Sequence, residues 1–217
     1  MKKLIVYDFD KTLYAKETGT RFYFSLIKEH PFMLYALLLH LLGMLLYVFK
    51  LISLERLKSL YFIFLEGKKL EEIEALVKRY WSSENENLFS DVVKTVEENR
   101  GKAELILITA SPRILVEPIG KKLGFDKVIG TEFQEKNGKF ISKVVGKNCK
   151  KKEKVKRLRE YLGITENAEL VIEKFYSDSV ADMPLFDLAK EKFWINQGKV
   201  IEGLPQVVTK ADKLFNR

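Results

Sequence analysis

Asp8 and Asp10 stand one residue apart, directly after the apolar run Leu4-Ile5-Val6-Tyr7, with Thr12 just behind them. A strand end that needs only a turn uses a single Asp, so the pair asks for another explanation. Three more polar clusters follow apolar runs in the same way. They are Thr109-Ala110-Ser111 after residues 105–108, the lysine-rich stretch 147–156, and Ser177-Asp178-Ser179-Val180-Ala181-Asp182 after residues 170–176. Asp178 and Asp182 are four apart, so both reach one site if a helical turn follows the strand. Crowded carboxylates raise one another's pKa unless a cation joins them. An all-oxygen donor set suits a hard divalent ion, most simply Mg²⁺. Thr109 and Ser111, read at a helix N-terminus with Pro112 in its first position, suit an anion, and phosphate fits best. A carboxylate not used up by the metal can attack phosphorus and form an aspartyl-phosphate. Its neighbour two residues on can protonate the leaving group and then deprotonate water. Lysine and the cation would offset charge on the transferring phosphoryl group.

Such a site needs elements that bring four separated stretches together. Residues 3–9 read as a strand buried on both faces, because the run is continuously apolar with β-branched members. Alternation sends Asp8 and Asp10 to one side and Phe9 to the other. Residues 105–108, 170–176 and 193–195 read as further strands. Between them, apolar stripes predict helices: Ile114, Leu115, Ile119 and Leu123 closed by Gly124, and Val155, Leu158 and Leu162 closed by Gly163. Strands alternating with helices imply a parallel α/β sheet, where ligands bind beyond the carboxyl ends of the strands. Asn137-Gly138, between residues 131–136 and 139–145, predicts a β-hairpin with a two-residue turn.

Residues 16–100 carry no strand pattern. They read as helices over 20–29, 32–49, 54–65, 70–80 and 84–99, the last with Ser83 and Glu86 at capping-box spacing. The expected architecture is a Rossmann-like α/β core, residues 1–15 and 101–217, with an all-helical cap, residues 16–100, inserted between the first and second strands.

The bulk composition of the 217 residues agrees: 47% hydrophobic and 31% charged excludes a disordered chain. The net charge of +8 favours anionic partners, but the basic run 147–159 lacks aromatic interleaving, so no nucleic acid is expected. Cys149 stands alone, which excludes an intramolecular disulfide and a cysteine-rich metal site and makes the cytoplasm the natural compartment. Lys2 and Lys3 precede an apolar run too short for a secretory signal. His30 and His40 fall in the cap, away from the motifs, and read as structural.

Asp-x-Asp-x-Thr at 8–12, a strand ending in Thr109, a downstream Lys and Asp178-x-x-x-Asp182 occur in an order that resembles the haloacid dehalogenase-like hydrolase superfamily. The helical cap between the first two motifs is similar to that of its phosphoserine phosphatase-like branch. The resemblance implies that Asp8 is the nucleophile and Asp10 the general acid/base, and that Thr109 holds the phosphoryl oxygens. It implies that Mg²⁺ is held by Asp8, the backbone carbonyl of Asp10 and Asp178, with Asp182 supporting. Lys154 is the choice for the third motif, five residues after Cys149 and just ahead of Val155 and Leu158, as in similar chains with C-x-x-x-x-K-V-x-x-L; Lys150, Lys151 and Lys152 are close rivals. Ser111 joins Thr109 and Lys154 as a substrate contact. Glu17, nine residues after Asp8, matches the position of a substrate-amine Glu in phosphoserine phosphatases. Ala110-Ser111-Pro112 stand where those enzymes usually carry Gly-Gly.

Residues 32–49, FMLYALLLHLLGMLLYVF, hold no charge in 18 positions, near the length of a transmembrane helix. A single crossing would separate Asp8 and Asp10 from Thr109, Lys154 and Asp178. Three arrangements remain: a helix buried in the cap, a re-entrant hairpin bent near Gly43, or a cap dipping into one leaflet. In the last, Arg21, Lys28, Lys50, Arg56 and Lys58 would meet anionic headgroups. The order of motifs around an apolar cap is also similar to phosphatidylglycerophosphatases of the C type, which implies a phospholipid phosphate such as phosphatidylglycerol phosphate and peripheral contact with the inner face of a membrane. The rivals are a small soluble phosphomonoester as substrate, or a non-catalytic membrane-associated module.

Overall fold

The structure, a computed structural model, describes residues 3–29 and 33–206, the side chains of residues 28 and 29 excepted. Lys2, His30 and Phe32 lie outside the described residues, as does the side chain of Lys28.

A six-stranded sheet has the order β3-β2-β1-β6-β7-β8. Its strands are β1 (Leu4–Tyr7), β2 (Glu104–Pro112), β3 (Lys127–Thr131), β6 (Ile172–Ser177), β7 (Ala189–Asn196) and β8 (Lys199–Glu202). All pairings are parallel except β7 with β8. Consecutive apolar residues in β1 serve opposite faces. Leu4 and Val6 pack with Ile106, Ile108, Ile172 and Phe175 on one side. Ile5, Tyr7 and Phe9 pack on the other with Leu105, Leu107 and Tyr176. β1 lies between β2 and β6, so the strand order reverses at its carboxyl end, where open α/β sheets bind ligands.

The core helices are α6 (Arg113–Leu123) and α7 (Lys152–Leu162), with the short α8 (Met183–Phe186) after β6. Gly124 and Gly163 end the first two in left-handed conformation. β3 and β8 are not expected from the sequence, because KVIGT and KVIE are only five and four residues long. The hairpin forms as expected from β4 (Phe133–Lys136) and β5 (Lys139–Val144), with Asn137 and Gly138 both at positive φ.

Between β1 and β2, in the stretch expected from sequence to form a cap, the chain makes α1 (Thr18–Glu29), α2 (Leu34–Val48), α3 (Leu54–Tyr61), α4 (Leu70–Glu84) and α5 (Ser90–Asn99). The expected capping box is not made. α4 runs through Glu84, Ser83 donates back to the Tyr80 carbonyl, and α5 begins only at Ser90. Glu84 is buried and occupied, accepting from Tyr14 at 2.5 Å and Arg21 at 2.8 Å. Cap and core share one hydrophobic cluster: Phe22, Ile73 and Val77 join Tyr7 and Phe9, and Trp81 meets Phe9 edge-on with its Nε1–H donated to the Leu115 carbonyl. The β4–β5 hairpin docks on the cap as well. The Val144 amide donates to Ser59 Oγ, and the Ser142 hydroxyl donates to the Ser59 carbonyl.

α2 is a single uninterrupted helix that runs through Gly43, so no hairpin forms there. That glycine is where α3 approaches: a Cβ there would sit 2.9 Å from Leu60 Cδ1 and 3.2 Å from Leu57 Cδ1. Nor is α2 a buried bundle helix. Only Ala36 and Gly43 are buried, while Leu38 is 69% exposed and Val48 72%. Its 15 residues span about 22 Å, short of a ~30 Å hydrocarbon core. Among the described residues no helix is long and apolar enough to cross a membrane.

Candidate active site

β1, β2 and β6 deliver the first, second and fourth motifs to one end of the sheet, and the start of α7 delivers the third. A pocket of about 250 Å³ there is lined by Asp8, Asp10, Thr109, Lys150, Lys154, Asp178 and Asp182, among others. The Asp8 amide pairs with the Tyr176 carbonyl at 2.9 Å, so the strand pairing sets the first carboxylate. The chain then turns sharply. Lys11 is left-handed at φ 59°, and the amides of Thr12, Leu13 and Tyr14 all converge on the Phe9 carbonyl. Phe9 anchors this turn from below, stacked on Tyr14 and edge-on to Trp81.

The Lys154 ammonium is buried between two carboxylates, 2.7 Å from Asp8 Oδ1 and 2.8 Å from Asp182 Oδ2. Lys150, Lys151 and Lys152 are exposed, although Lys150 borders the pocket. Burial opposes the Lys154 charge, but Asp182 and Asp8 outweigh it and hold its pKa above the ordinary lysine value. Asp182 also accepts from the Ser177 hydroxyl at 2.7 Å. Asp182, expected from sequence to support the metal site, makes its contacts here to Lys154 and Ser177.

Thr12 joins the first motif to the fourth. Its hydroxyl donates to Asp178 Oδ1 and accepts from the Asp178 amide, each at 3.1 Å, with Asp8 Oδ2 at 3.5 Å. Asp8 and Asp178 therefore flank one hydroxyl. Asp10 faces elsewhere. Its carboxylate accepts from the Thr18 amide at 2.7 Å, from the Thr18 hydroxyl and from the Ser111 hydroxyl at 2.5 Å. This ties the motif to the first residue of α1. Ser111 does not cap α6, because β2 continues through Pro112 across a register shift and the helix starts at Arg113. Thr109 is buried, and its Oγ1 accepts from the Ser111 amide at 3.0 Å.

Burial raises the pKa of Asp8 above the ordinary carboxylate value, against the opposing pull of Lys154. It also raises Asp10, against the hydrogen bonds from Ser111 and Thr18, and Asp178, against that from Thr12. A buried cluster of oxygen donors served by one ammonium is a setting in which a hard cation offsets desolvation, so the residues fit one. Among the described residues no three His, Cys, Asp or Glu side chains form a ready ion cage. The Asp10 carboxylate is held by Thr18 and Ser111, while Asp8 and Asp178 share the Thr12 hydroxyl.

A second cleft, about 290 Å³, opens on the cap side of Asp10 and Ser111 and is walled by Leu54, Leu57, Tyr61 and Phe62. His40, placed away from the motifs by sequence, lines this cleft and packs edge-on to Tyr61 at 4.5 Å. Burial lowers its pKa, which favours the neutral ring. Glu17 borders both pockets and pairs with Lys11 at 2.8 Å, with both side chains 56% exposed. Lys58 was read as part of a basic flank facing headgroups. It points inward, donating to the Ala110 carbonyl and to Asn148 Oδ1, and Arg21 is likewise taken by Glu84. Sequence reasoning also missed Thr18; its one signal was its place at the start of the cap. Cys149 is buried, and burial pushes its thiol up to about 11, which disfavours the thiolate.

Comparison with known proteins follows the same outline. Residues 5–187 match the haloacid dehalogenase-like hydrolase family. The chain is 29% identical to Protein CicA of Caulobacter vibrioides over 209 residues, covering 90% of this chain and 87% of that one. It is 29% identical over 143 residues to phosphoserine phosphatase SerB1 of Mycobacterium tuberculosis, covering 65% of this chain and 46% of that one. A crystal structure of a protein of unknown function from Bordetella pertussis shares the fold, with a TM-score of 0.73 at 20% identity, over 88% of this chain and 89% of that one.

Proposed function

The chain belongs to the haloacid dehalogenase-like hydrolase family, and we propose that it is a phosphomonoesterase working through an aspartyl-phosphate on Asp8. The observation that carries this is the Asp8–Lys154–Asp182 chain at the end of β1, beside a pocket that also holds Thr109 and Asp178. Lys154 holds Asp8 Oδ1, which leaves Oδ2 as the attacking oxygen. Thr109 accepts from the Ser111 amide and keeps its hydroxyl hydrogen for a phosphoryl oxygen. Asp10, half-buried and hydrogen-bonded, protonates the departing oxygen and then takes a proton from water. Release from Thr18 or Ser111 frees it for this. Asp182 keeps Lys154 in place, and Lys154 offsets phosphoryl charge.

Asp8, Asp178 and the backbone carbonyl of Asp10 would hold Mg²⁺. Bound there, the ion would supply a Lewis acid for the phosphoryl oxygens. The division into an α/β core and a helical cap fits this scheme, the core supplying chemistry and the cap the leaving-group cleft.

For the substrate we favour a lipid phosphate, phosphatidylglycerol phosphate being the first to try. The support is α2: an exposed, uncharged helix on the cap that forms the second cleft. Apolar patches of this extent mark interaction sites. Lys50 and Arg56 remain exposed at its end to meet anionic headgroups, in peripheral contact with the inner face of a membrane. A small soluble phosphomonoester is the second reading, favoured by Glu17 at the junction of the two pockets and by the name of one relative.

The test is Mg²⁺-dependent turnover of p-nitrophenyl phosphate by wild type and Asp8→Asn, then a panel including phosphatidylglycerol phosphate and phosphoserine, with liposome flotation. Equal inactivity of wild type and Asp8→Asn on every phosphoester sinks the enzymatic reading. A protein that never floats and prefers phosphoserine sinks the lipid one.

A further inference from the structure

The helices between β1 and β2 are held to the rest of the chain unevenly. α3 and α4 are fixed on several sides. Residues 66–70, which lie between them, run beside β5 as an added strand. The Gly67 amide donates to the Phe140 carbonyl and the Phe140 amide to the Lys68 carbonyl, each at 2.9 Å, and the Leu70 amide donates to the Gly138 carbonyl at 3.0 Å. Ser59 meets Ser142 and Val144 on the same hairpin, and Phe62 packs edge-on to Phe133 at 5.4 Å. Lys58 on α3 donates to the Ala110 carbonyl in β2 and to Asn148 Oδ1. Trp81 on α4 donates to the Leu115 carbonyl of α6 at 2.7 Å. Moving this half away from the core breaks all of these contacts together.

α2 is tied more lightly. Its inward face repeats Ala36, His40 and Gly43 at helical spacing. The two that are buried, Ala36 and Gly43, are the smallest residues, and Leu37 adds a partly buried side chain. Burial stabilises in proportion to apolar area, so this seam contributes little. His40 Nδ1 lies buried in it with no hydrogen-bond partner among the described residues, so no polar contact pins the seam at that atom. His40 and Tyr61 meet across the seam at 4.5 Å, and both line the second cleft. Parting α2 from α3 opens that cleft and leaves the strap on β5 intact. We propose that α2 is the gate of the second cleft: it swings on α3 to admit a substrate and release its departing part, while α3 and α4 stay fixed to the core. The proposal rests on the phosphatase reading above and adds to it the path by which the leaving group comes and goes.

Two engineered disulfides test it, and Cys149, the one native cysteine, is buried and does not compete. Gly43→Cys with Leu60→Cys locks α2 to α3, since a Cβ at Gly43 stands 3.7 Å from Leu60 Cβ, within disulfide range. Lys69→Cys with Lys139→Cys locks the strap to β5. These exposed residues face each other as a non-hydrogen-bonded antiparallel pair, whose Cα atoms lie about 4.5 Å apart. Turnover of p-nitrophenyl phosphate, whose aryl group enters the second cleft, is measured oxidised and reduced. Oxidising the 43–60 pair should lower kcat/KM more than about tenfold, and reductant should restore it, as for a lid whose opening limits access. Acetyl phosphate, with a far smaller departing part, should lose much less. Oxidising the 69–139 pair should leave both substrates within about twofold of the reduced protein. A 43–60 lock without effect, or one that slows both substrates equally, overturns the proposal. So does a 69–139 lock that slows turnover until it is reduced.

Thiol labelling gives a second measurement that needs neither disulfide nor activity. Ala36 is buried in the seam and Ser142 is buried under the strap. Ala36→Cys should react with a soluble thiol reagent at least about tenfold faster than Ser142→Cys, because a weakly held element opens locally while a strongly held one does not. Wild type, with only Cys149, is the blank. Equal rates, or a faster Ser142→Cys, overturn the proposal. If wild type hydrolyses neither phosphoester, the phosphatase reading fails, and the labelling rates alone decide whether α2 parts from α3.

Discussion

Replacing Lys154 by Met removes the one buried ammonium from the site while nearly keeping side-chain volume. In the wild-type protein its Nζ lies 2.7 Å from Asp8 and 2.8 Å from Asp182, and all three side chains are almost fully buried. Met leaves two carboxylates facing each other without a cation. Asp182 retains the Ser177 hydroxyl at 2.7 Å, but Asp8 retains only Thr12 at 3.5 Å, so the penalty falls mostly on Asp8. Breaking a buried pair by removing one partner costs about 3–5 kcal/mol. For a chain of this size 1 kcal/mol moves Tm by about 2–4 °C, so the melting point should fall roughly 6–20 °C. The melt is followed by circular dichroism in chelator, so that no divalent ion substitutes for the ammonium. Adding Asp182→Asn should recover part of the loss, because it neutralises one stranded carboxylate; the coupling should be about 0.5–3 kcal/mol. Turnover of p-nitrophenyl phosphate should drop about 10²–10³-fold in Lys154→Met, the scale for losing one group that stabilises transition-state charge. A Lys154→Met protein that melts within a few degrees of wild type, with Asp182→Asn strictly additive, would refute the description of this triad as a charge-balanced unit.

Asp10→Asn should reduce p-nitrophenyl phosphate hydrolysis by about 10²–10⁴-fold. It should melt close to wild type, because an amide oxygen still accepts from Thr18; a collapse of the fold would show that the Thr18 contact depends on charge. Leu45→Glu with Val48→Glu, both on the exposed face of α2, should change stability by no more than about 0.5 kcal/mol each. The same pair should abolish flotation with anionic liposomes; unchanged flotation would remove α2 from the membrane reading. Ser59→Ala strands the buried Val144 amide and removes a hydroxyl that caps nothing else in the hairpin. Urea denaturation should register a loss of about 1–3 kcal/mol, and no loss would mean that the hairpin does not depend on this contact with the cap.

Much of the framework was legible because it rests on local rules. The alternation in β1, the positive-φ pair Asn137-Gly138 and the glycines that close α6 and α7 each follow from a few neighbouring residues. The capping box at Ser83 and the N-cap at Ser111 follow the same kind of rule and failed. In the first, the Glu84 carboxylate is drawn into a buried cluster with Tyr14 and Arg21, and α4 lengthens to place it there. In the second, the Ser111 hydroxyl goes to Asp10, one hundred and one residues earlier in the chain, which a local rule does not see.

By itself the sequence determined which residue types arrive at the carboxyl ends of which strands, since that follows from apolar runs, alternation and the order of the motifs. It also determined that an uncharged helix sits in the insertion. Only the tertiary structure decided what those side chains face. It buried Lys154 and left its neighbouring lysines in solvent, because α7 presents one face to the sheet. It turned Asp10 toward the cap, committed Asp182 to Lys154, and drove Lys58 inward under the apolar wall of the second cleft. It left α2 packed along α3 and open to its surroundings on the rest of its surface. Composition and spacing measure how apolar a segment is or how far apart two charges lie along the chain. Which surface of a helix meets a neighbour, and which ammonium meets which carboxylate, depends on segments distant in sequence and is fixed when they pack.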